Sequence, residues 1–536
     1  MVQRDLECHD VAVNHRNHRT RRTAATATAA PHPRSTTMIQ HAARPNRLLS
    51  AALAVTMALF LTVSATEASA GGRGNHTATV ATNGPLTLAQ VAEAIGADDL
   101  HGRGLTGAGV GVALIDTGVV PVPGLDGPGK VINGPDLSFE SQIAALRYLD
   151  TYGHGTHMAG IIAGTGIDDS SRGLAPGAHL VNVKIAGHDG AVDVTQAIAA
   201  IDWTVAHADE LGIRIINLSY GTTGVQPVEV DPLAAAVGRA WDAGIVVVVA
   251  AGNEGFGSAS LNAPATHPRV IAAGAADLRD TSTIDDDIVA PFSSTGDRTR
   301  HPDIVAPGTS ITSLRNPGST IDTEHASARV GDALFLGSGS SQAAAVVSGA
   351  IALLIEDNPQ LQPEQVNQLL RTTSANLLHA DRRSRGQGLI DISRAAARDV
   401  SDGAREAFTH LGTGSLEASR NGEHVAHDEV ELDTEVDIHG ATWVGTTPAW
   451  DGGVYRGVRW TGDCFCTDSF AGPAWSPAAW SASFTGQEWG SADEFSGRSW
   501  SGRSWSGRSW SGRSWSGRSW SGRSWSGRSW STGAWR

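Results

Sequence analysis

The feature that most constrains the fold is an alternation of short apolar runs with alanine-rich segments of helical periodicity across residues 96–398. Each run is almost continuously apolar, which is typical of strands buried on both faces of a parallel sheet. The predicted strands are 109–115, 180–185, 213–218, 245–250 and 270–274. Two intervening segments, 194–208 and 233–243, have helical spacing, with Asp193 and Asp231 at N-cap positions. This pattern predicts a three-layer α/β domain.

The charge and cysteine content limit the partners and the chemistry. The formal net charge is −15, from 55 acidic and 40 basic residues, whereas phosphate binding requires a basic surface. We therefore expect no nucleic-acid partner. The three cysteines, Cys8, Cys464 and Cys466, lie outside the α/β segment. Their positions exclude thiol catalysis and a disulfide framework for that domain.

The first 70 residues are typical of targeting rather than of a folded domain. A basic flank at Arg44 and Arg47 precedes the apolar run 48–63, and Ala68-Ser69-Ala70 follows it, as in a secretory signal peptide. An uncleaved membrane anchor is the alternative, but the run is shorter than the ~20 residues that span a bilayer. We predict an unstructured extension or a mis-assigned start at 1–37, a signal peptide at 38–70 and a short lead at 71–95.

Two motifs place an acid and a base in glycine-marked surroundings. Asp116, followed by Thr117-Gly118, stands at the C-terminal end of a predicted strand, where open α/β sheets place their sites. His154 stands between two glycines that open a small-residue helix, and glycine lets neighbouring backbone approach closely. Singly, such an aspartate more often forms a turn, and His154 with His157 could bind a metal. We interpret His157 as structural.

A serine and an asparagine complete the set. Ser341 opens a long apolar helix predicted to run to Ile355, so its own amide and the helix dipole favour a negative oxygen there. Asn253 lies in a Gly-Asn turn, where its side-chain N–H could bind an oxyanion. Alone, such a serine is more often an N-cap, and Gly-Asn turns are common. Together with Asp116 and His154, they supply what serine-dependent peptide hydrolysis needs.

The chain order Asp116, His154, Asn253, Ser341 resembles the subtilisin-like serine peptidase family, from residue 106 to residue 391. The resemblance implies a secreted serine endopeptidase with a three-layer subtilisin-like α/β domain and a central, mostly parallel sheet. It also implies that Asp116 orients the imidazole and that His154 is the general base and then the general acid. Ser341 would be the nucleophile, and Asn253 would bind the oxyanion with the Ser341 amide.

The resemblance also implies how substrate binds. Family members add the substrate as a strand against a Ser-x-Gly segment, which Ser219-Tyr220-Gly221 matches, and the primary pocket would lie between it and Ala251-Gly252. Strand addition reads backbone more than side chains. We therefore expect protein or peptide substrates, limited sequence specificity and a monomer.

Three features depart from the family pattern. Around the nucleophile the family shows Gly-Thr-Ser-Met-Ala-x-Pro, whereas this chain has Gly-Ser-Ser-Gln-Ala-Ala-Ala at 339–345, and the effect of Gln342 stays open. The lead is too short for an independent pro-domain core, so we expect folding without a conventional N-terminal chaperone segment. Many members bind calcium, but no compact Asp-x-Asp-x-Asp loop occurs in the sequence. We therefore expect no cofactor and assign no metal site.

Beyond residue 398 the alternation fades. Segment 399–442 is Gly-rich and acidic, which predicts an acidic linker or a small polar module, and 443–495 is rich in Trp and Gly. Residues 496–530 repeat Ser-Gly-Arg-Ser-Trp seven times, a period that fits neither strand nor helix. Two interpretations of the basic tail 496–536 stay open: contact with cell-wall polymers, sugars or a membrane surface, and a solvated linker.

A catalytically silent scaffold that presents the repeat tail at a cell surface is the alternative to an active peptidase. Such a scaffold has no physical need for the four residues, and their presence favours the enzyme. A lipase or esterase of another α/β fold would carry a Gly-x-Ser-x-Gly elbow with its histidine last in the chain. Because His154 precedes Ser341, we predict a peptidase.

Overall fold

The structure is a computed structural model, and it describes residues 85–459 with internal gaps. The gaps are 142, 144, 225, 257–259, 280, 282, 401–407, 423, 428–429, 439, 447, 449, 452–453 and 456–457. Several predictions lie outside the described residues: the extension 1–37, the signal peptide 38–70, most of the lead, the two neighbouring cysteines and the repeat tail.

An eight-stranded sheet forms the centre of the fold. Its strands are β1 Gly111–Asp116, β2 Val131–Asp136, β3 His179–Lys184, β4 Ile213–Leu218, β5 Val246–Ala250, β6 Ile271–Asp277, β7 Ile288–Val289 and β8 Ile304–Pro307. The spatial order is β2-β3-β1-β4-β5-β6-β7, and β8 also pairs with β6. Only the β6–β7 pair is antiparallel. The mostly parallel sheet and its five predicted strands are confirmed.

The described residues form the following α-helices, two of which begin directly after an N-cap residue that the sequence predicts. They are α1 Leu88–Ala94, α2 Ala97–Gly102, α3 His154–Ala163, α4 Val194–Ala206, α5 Pro232–Asp242, α6 Thr320–Glu324, α7 Ser340–Asp357, α8 Pro363–Thr373, α9 Arg382–Arg385, α10 Ile392–Ala396 and α11 Leu416–Arg420. The Asp193 carboxylate accepts from the Thr195 amide at the start of α4, and Asp231 accepts from Ala234 at the start of α5. Both satisfy amides that have no partner inside the helix.

Two pairs of helices cover the sheet. Helices α3 and α7 pack against each other, and α7 also contacts β4, β5, β6 and β8. Helices α4 and α5 form the second pair, which contacts β1 and β5. The three-layer architecture is thus confirmed. Within residues 85–459, no described helix combines the length and the apolar character needed to cross a membrane.

Smaller sheets flank the central one. The first contains β9 Ile311–Leu314, β10 Arg329–Val330 and β11 Leu334–Gly337, in the order β10-β11-β9, and all of its pairs are antiparallel. Further along the chain are the short strands β12 Ala426–His427, β13 Val430–Glu431, β14 Trp450–Asp451, β15 Val454–Tyr455 and β16 Val458–Arg459.

The described chain outside 96–398 also packs onto the sheet domain. Leu88 and Val91 of α1 are buried in the main core, so the end of the lead contributes to it. The composition of 399–442 leaves an acidic linker and a small polar module open, and its described residues from 408 onward pack against the body. Among the contacts that hold them are the ion pair of Arg420 with Asp193 and the hydrogen bond of Ser419 Oγ to Asp231. The domain boundary at residue 398 stays a prediction.

Candidate active site

Asp116 is the last residue of β1, and its carboxylate is fully buried at the C-terminal edge of the sheet. Its Oδ1 accepts a hydrogen bond from the Thr117 amide at 2.8 Å. The same carboxylate lies 2.9 Å and 3.0 Å, through its two oxygens, from Nδ1 of His154. Because a carboxylate accepts, Nδ1 carries the proton, and Nε2 is the nitrogen that can act as a base.

His154 is the first residue of α3, and the glycines beside it are required by the backbone. Gly153 has a φ of 109°, which side chains rarely adopt. A Cβ on Gly155 would collide with the carbonyl oxygen of Gly118, in the loop that follows Asp116. The two motifs that the sequence singled out are therefore in direct contact, and only glycine permits the approach.

Asp150 also organises this part of the site, and the sequence analysis missed it. Its carboxylate accepts from the amides of Gly153 at 2.6 Å and Thr156 at 2.8 Å, and from the Thr117 hydroxyl at 2.7 Å. Burial raises the pKa of this carboxyl, while the donors act in the opposite direction. The available signal was an aspartate four residues before His154, placed to cap the free amides of α3.

Ser341 lies in the first turn of α7 and is fully buried. Its Oγ makes no hydrogen bond within the described part of the chain. The preceding Ser340 fixes the start of the helix, because its Oγ accepts from the Gly252 amide at 3.2 Å and its amide donates to Asn253 Oδ1 at 2.9 Å. The serine that replaces the family threonine therefore connects the helix to the strand-end loop.

The side-chain oxygen of Asn253 accepts a hydrogen bond, whereas its side-chain nitrogen has no partner among the described residues. Since Oδ1 faces the Ser340 N–H, the other atom of the side-chain amide must be the nitrogen. That Nδ2 has no hydrogen-bond partner among the described residues, and the residue is only 5% exposed. A buried donor without a partner is costly to leave unsatisfied, and it is suited to an oxygen brought by a ligand.

Helix α3, which begins at His154, packs against α7, whose first turn holds Ser341. A Cβ on Gly337, just before α7, would meet both His157 Cε1 at 2.9 Å and Gln342 Nε2 at 2.6 Å. His157 Nε2 lies 3.1 Å from the Phe335 carbonyl, and burial together with His154 lowers the pKa of His157 to about 3. A neutral, backbone-bound imidazole is consistent with the structural role predicted for it.

The residues predicted to bind substrate follow β4 and β5 at the same edge of the sheet. Ser219 is buried, and Tyr220 is only 2% exposed, so its ring belongs to the core rather than to an open cleft. The chain then pairs at Thr222 with Ala263, through two amide-to-carbonyl bonds of 2.8 Å.

Backbone hydrogen bonds also hold the second predicted wall. Ala251 accepts from the Asn262 amide at 3.4 Å, and the Gly252 carbonyl accepts from the Ser294 amide at 2.9 Å. Gly252 adopts a φ of 110°, and a Cβ there would meet the Asn262 side chain. The backbone N–H and C=O of Gly252 are therefore already engaged within the protein.

Within the described residues, no three His, Cys, Asp or Glu side chains converge in a way that could hold a metal ion. The two histidines of α3 do not form such a set, because the Phe335 carbonyl accepts from Nε2 of His157. No metal-dependent step is derived for this site.

Comparison with known proteins agrees with this geometry. Residues 107–389 match the model of the subtilase family. The chain is 38% identical over 305 residues to the serine protease AprX of Bacillus subtilis (strain 168), which covers 55% of this chain and 68% of AprX. It is 34% identical over 295 residues to subtilisin Savinase of Lederbergia lenta, which covers 55% of this chain and 93% of Savinase.

A third relative is named as an extracellular protease. The chain is 33% identical over 312 residues to the minor extracellular protease Epr of Bacillus subtilis (strain 168), which covers 56% of this chain and 41% of Epr. The family match spans the central sheet and all four candidate residues. The chain therefore belongs to the subtilase family and is a subtilisin-like serine endopeptidase.

Proposed function

We propose that the chain hydrolyses peptide bonds through an acyl-enzyme formed on Ser341. The Asp116–His154 contact carries this proposal. The carboxylate keeps the imidazole proton on Nδ1, so Nε2 is available to remove the proton of the Ser341 hydroxyl. Ser341 Oγ then attacks the peptide carbonyl carbon, and His154 returns the proton to the leaving amine. Water attacks the ester in the second half of the reaction, with His154 again acting as base and then acid.

The oxyanion of each tetrahedral intermediate would be held by two N–H donors. One is the unpartnered Nδ2 of Asn253, and the other is the backbone amide of Ser341 in the first turn of α7, where helical amides have no internal partner. Both donors are fixed before substrate arrives, so no reorganisation is needed when the negative charge develops.

Substrate would bind as an extended strand beside Ser219-Tyr220-Gly221, with its primary side chain between that segment and Ala251-Gly252. The backbone of the second segment is restrained by Ser340 and Ser294, which supports a rigid wall. Since such binding relies on main-chain hydrogen bonds, we propose broad specificity among proteins and peptides, acting as a monomer. A calcium requirement stays an untested implication of the family.

Export of the enzyme is part of the same proposal. The apolar run 48–63 and the Ala68-Ser69-Ala70 pattern support a cleaved signal peptide. The extracellular relative Epr supports the same location. The basic repeat tail 496–536 would then meet the cell surface.

A labelling experiment tests this function. The secreted protein is incubated with casein and with a fluorophosphonate probe, which reacts with activated serines, next to its Ser341→Ala and Ser340→Ala variants. We expect the first variant to lose labelling and cleavage, and the second to retain labelling at a reduced rate because only a supporting hydrogen bond is lost. Labelling that survives in Ser341→Ala would remove this serine from its role.

A further inference from the structure

Residues 315–333, which we call the strap, leave and rejoin one antiparallel ladder. Leu314 at the end of β9 pairs with Leu334 at the start of β11, so the strap begins and ends at the same place. It contains α6 and the short strand β10. Ile321 and Ala328 of the strap are buried together with Phe335, and Tyr152 packs against this cluster.

The strap binds three successive carbonyls of the loop that leads into His154. Its side-chain amide at Asn316 donates to the Asp150 carbonyl. The next two are taken by backbone amides: Thr320 N–H donates to Thr151 O at 3.1 Å, and Ile321 N–H donates to Tyr152 O at 2.9 Å. Every carbonyl from 150 to 152 is therefore held by the strap, and the catalytic histidine follows two residues later.

Asp150 of the same loop adds a second set of restraints. Its carboxylate accepts from the Gly153 and Thr156 amides on either side of His154. The segment around His154 is thus bound through these amides as well as through the carbonyls of 150–152. A displacement on the order of 1 Å in the position of a catalytic group can reduce a rate about 100-fold, so such restraint has kinetic value.

A buried ionic cluster closes the strap on itself. Asp322 is 1% exposed, and its carboxylate accepts from Arg315 Nε at 2.6 Å and from Arg329 Nε at 2.8 Å. Arg329 Nη2 also donates to the Asp322 carbonyl at 2.7 Å. The two arginines come from the two ends of the strap, so the carboxylate fixes its shape. Thr320 Oγ1 adds a bond to His188 O at 2.6 Å, in the loop after β3.

We propose that the strap is a positioning element for His154, and that Thr320, Asn316 and the Asp322 cluster set the placement of the imidazole relative to Ser341. The proposal rests on the assigned function of these two residues. The hydrogen bonds described above join the strap to the carbonyls of residues 150–152. They act through the loop 150–152, so their loss would lower kcat while leaving the affinity for substrate nearly unchanged.

A proline substitution tests the backbone contact selectively. Thr320 is the first residue of α6, a position where proline fits, and Ser319 before it has extended backbone with ψ of 163°. Thr320→Pro removes both the backbone N–H, which donates to the Thr151 carbonyl, and the hydroxyl, which donates to the His188 carbonyl. Thr320→Val is the matched control, because it removes only the hydroxyl that bonds His188.

We expect Thr320→Pro to lower kcat about 10-fold relative to Thr320→Val. KM should change by less than about twofold, because substrate is proposed to bind beside segments 219–221 and 251–252 and not at the strap. Active sites are counted with the fluorophosphonate probe, so that unfolded protein does not enter kcat. If Thr320→Pro does not fold, Asn316→Ala removes the side-chain donor that bonds the Asp150 carbonyl and carries the same expectation.

A second readout separates this proposal from the function itself. The imidazole signals of His154 are followed by NMR in protein with labelled histidine and are assigned with His154→Gln. If the strap positions His154, these signals are shifted or broadened in Thr320→Pro but not in Thr320→Val, whether or not the enzyme is active. Unchanged signals and unchanged kcat in a folded Thr320→Pro variant would overturn the positioning role of the strap. A wild-type protein that the fluorophosphonate probe never labels would overturn only the proposed function.

Discussion

At the scale of single residues, the tautomer of His154 is the property on which catalysis depends. Asp116→Asn keeps the size of the side chain but can present an N–H to Nδ1, which favours the proton on Nε2. We expect kcat to fall on the order of 10⁴-fold with little change in KM. The measurement is steady-state cleavage of a chromogenic peptide, with circular dichroism as the control for folding. A folded variant within tenfold of the wild-type kcat would contradict the assignment.

A substitution at Asn253 can distinguish the acceptor role of its side-chain amide from the donor role. Asn253→Asp keeps an oxygen for the Ser340 N–H and replaces the Nδ2 donor by an oxygen. We expect kcat to fall at least about 100-fold, because a transition-state hydrogen bond is lost and a negative charge is added. Substrate affinity should be nearly preserved, and single-turnover acylation measures the step directly. A loss confined to KM would place Asn253 in substrate binding instead.

The sequence alone singled out Asp116, His154, Asn253 and Ser341 as candidates, because each stands in a glycine-marked turn at a strand end or a helix start. It did not indicate Asp150, because the role of that carboxylate depends on which amides and hydroxyls fold around it. Contacts of this kind join residues at no fixed spacing. Tyr220 shows the same limit, since no sequence pattern indicated that its ring is buried.

At the scale of elements, the central strands and helices could be predicted because their burial is encoded in continuous apolar runs. The strap could not, because α6 is too short for a periodic signal and β10 has only two residues. Its structure depends instead on Arg315, Arg329 and Asp322, whose pairing is a tertiary contact. Charged residues in a polar stretch more often indicate a solvated loop.

The turn between β6 and β7 carries a testable pH dependence. Asp287 is 4% exposed, its Oδ1 lacks a partner among the described residues, and burial with Asp286 and Asp277 raises its pKa to about 7. Because the folded pKa lies above the usual value of 3.8, folding disfavours the charged form. The free energy of unfolding should therefore fall as the pH rises from about 4 to about 7.

Asp287→Asn removes this titration. We expect the variant to be more stable than the wild type above pH 7, on the order of 2 kcal/mol, and to lose that advantage near pH 4. Urea unfolding at both pH values measures the difference, and Asp285→Asn is the matched control in the same turn. A stability difference that does not depend on pH would contradict the raised pKa.

At the scale of the whole molecule, the folded body includes chain on both sides of the segment recognised from its alternating pattern. Residues of α1 enter the main core, and the module from 408 onward packs beside α4, α5 and the loop that precedes α4. Composition left a linker and a polar module both open, because an acidic, glycine-rich segment has the same signature whether it is solvated or docked. The contacts that dock the segment, such as those of Arg420 with Asp193 and of Ser419 with Asp231, are tertiary.

Arg420 provides the last prediction. Its guanidinium is 1% exposed and donates to both oxygens of Asp193, at 2.7 Å and 3.2 Å, and to the Thr434 and Val436 carbonyls. Asp193 in turn caps α4, so the module and the catalytic body share one buried carboxylate. Arg420→Met leaves that buried charge without a cation, and we expect a loss of about 3 to 5 kcal/mol in the free energy of unfolding.

The double variant Arg420→Met/Asp193→Asn distinguishes an uncompensated charge from lost packing. Asparagine keeps the N-cap of α4 but carries no charge, so the double variant should recover a large part of the stability that Arg420→Met loses. Urea unfolding of all three proteins gives the comparison. If the double variant is less stable than Arg420→Met, the buried carboxylate is not what makes the arginine necessary, and the module must be held by its apolar contacts around Val425 and Leu432.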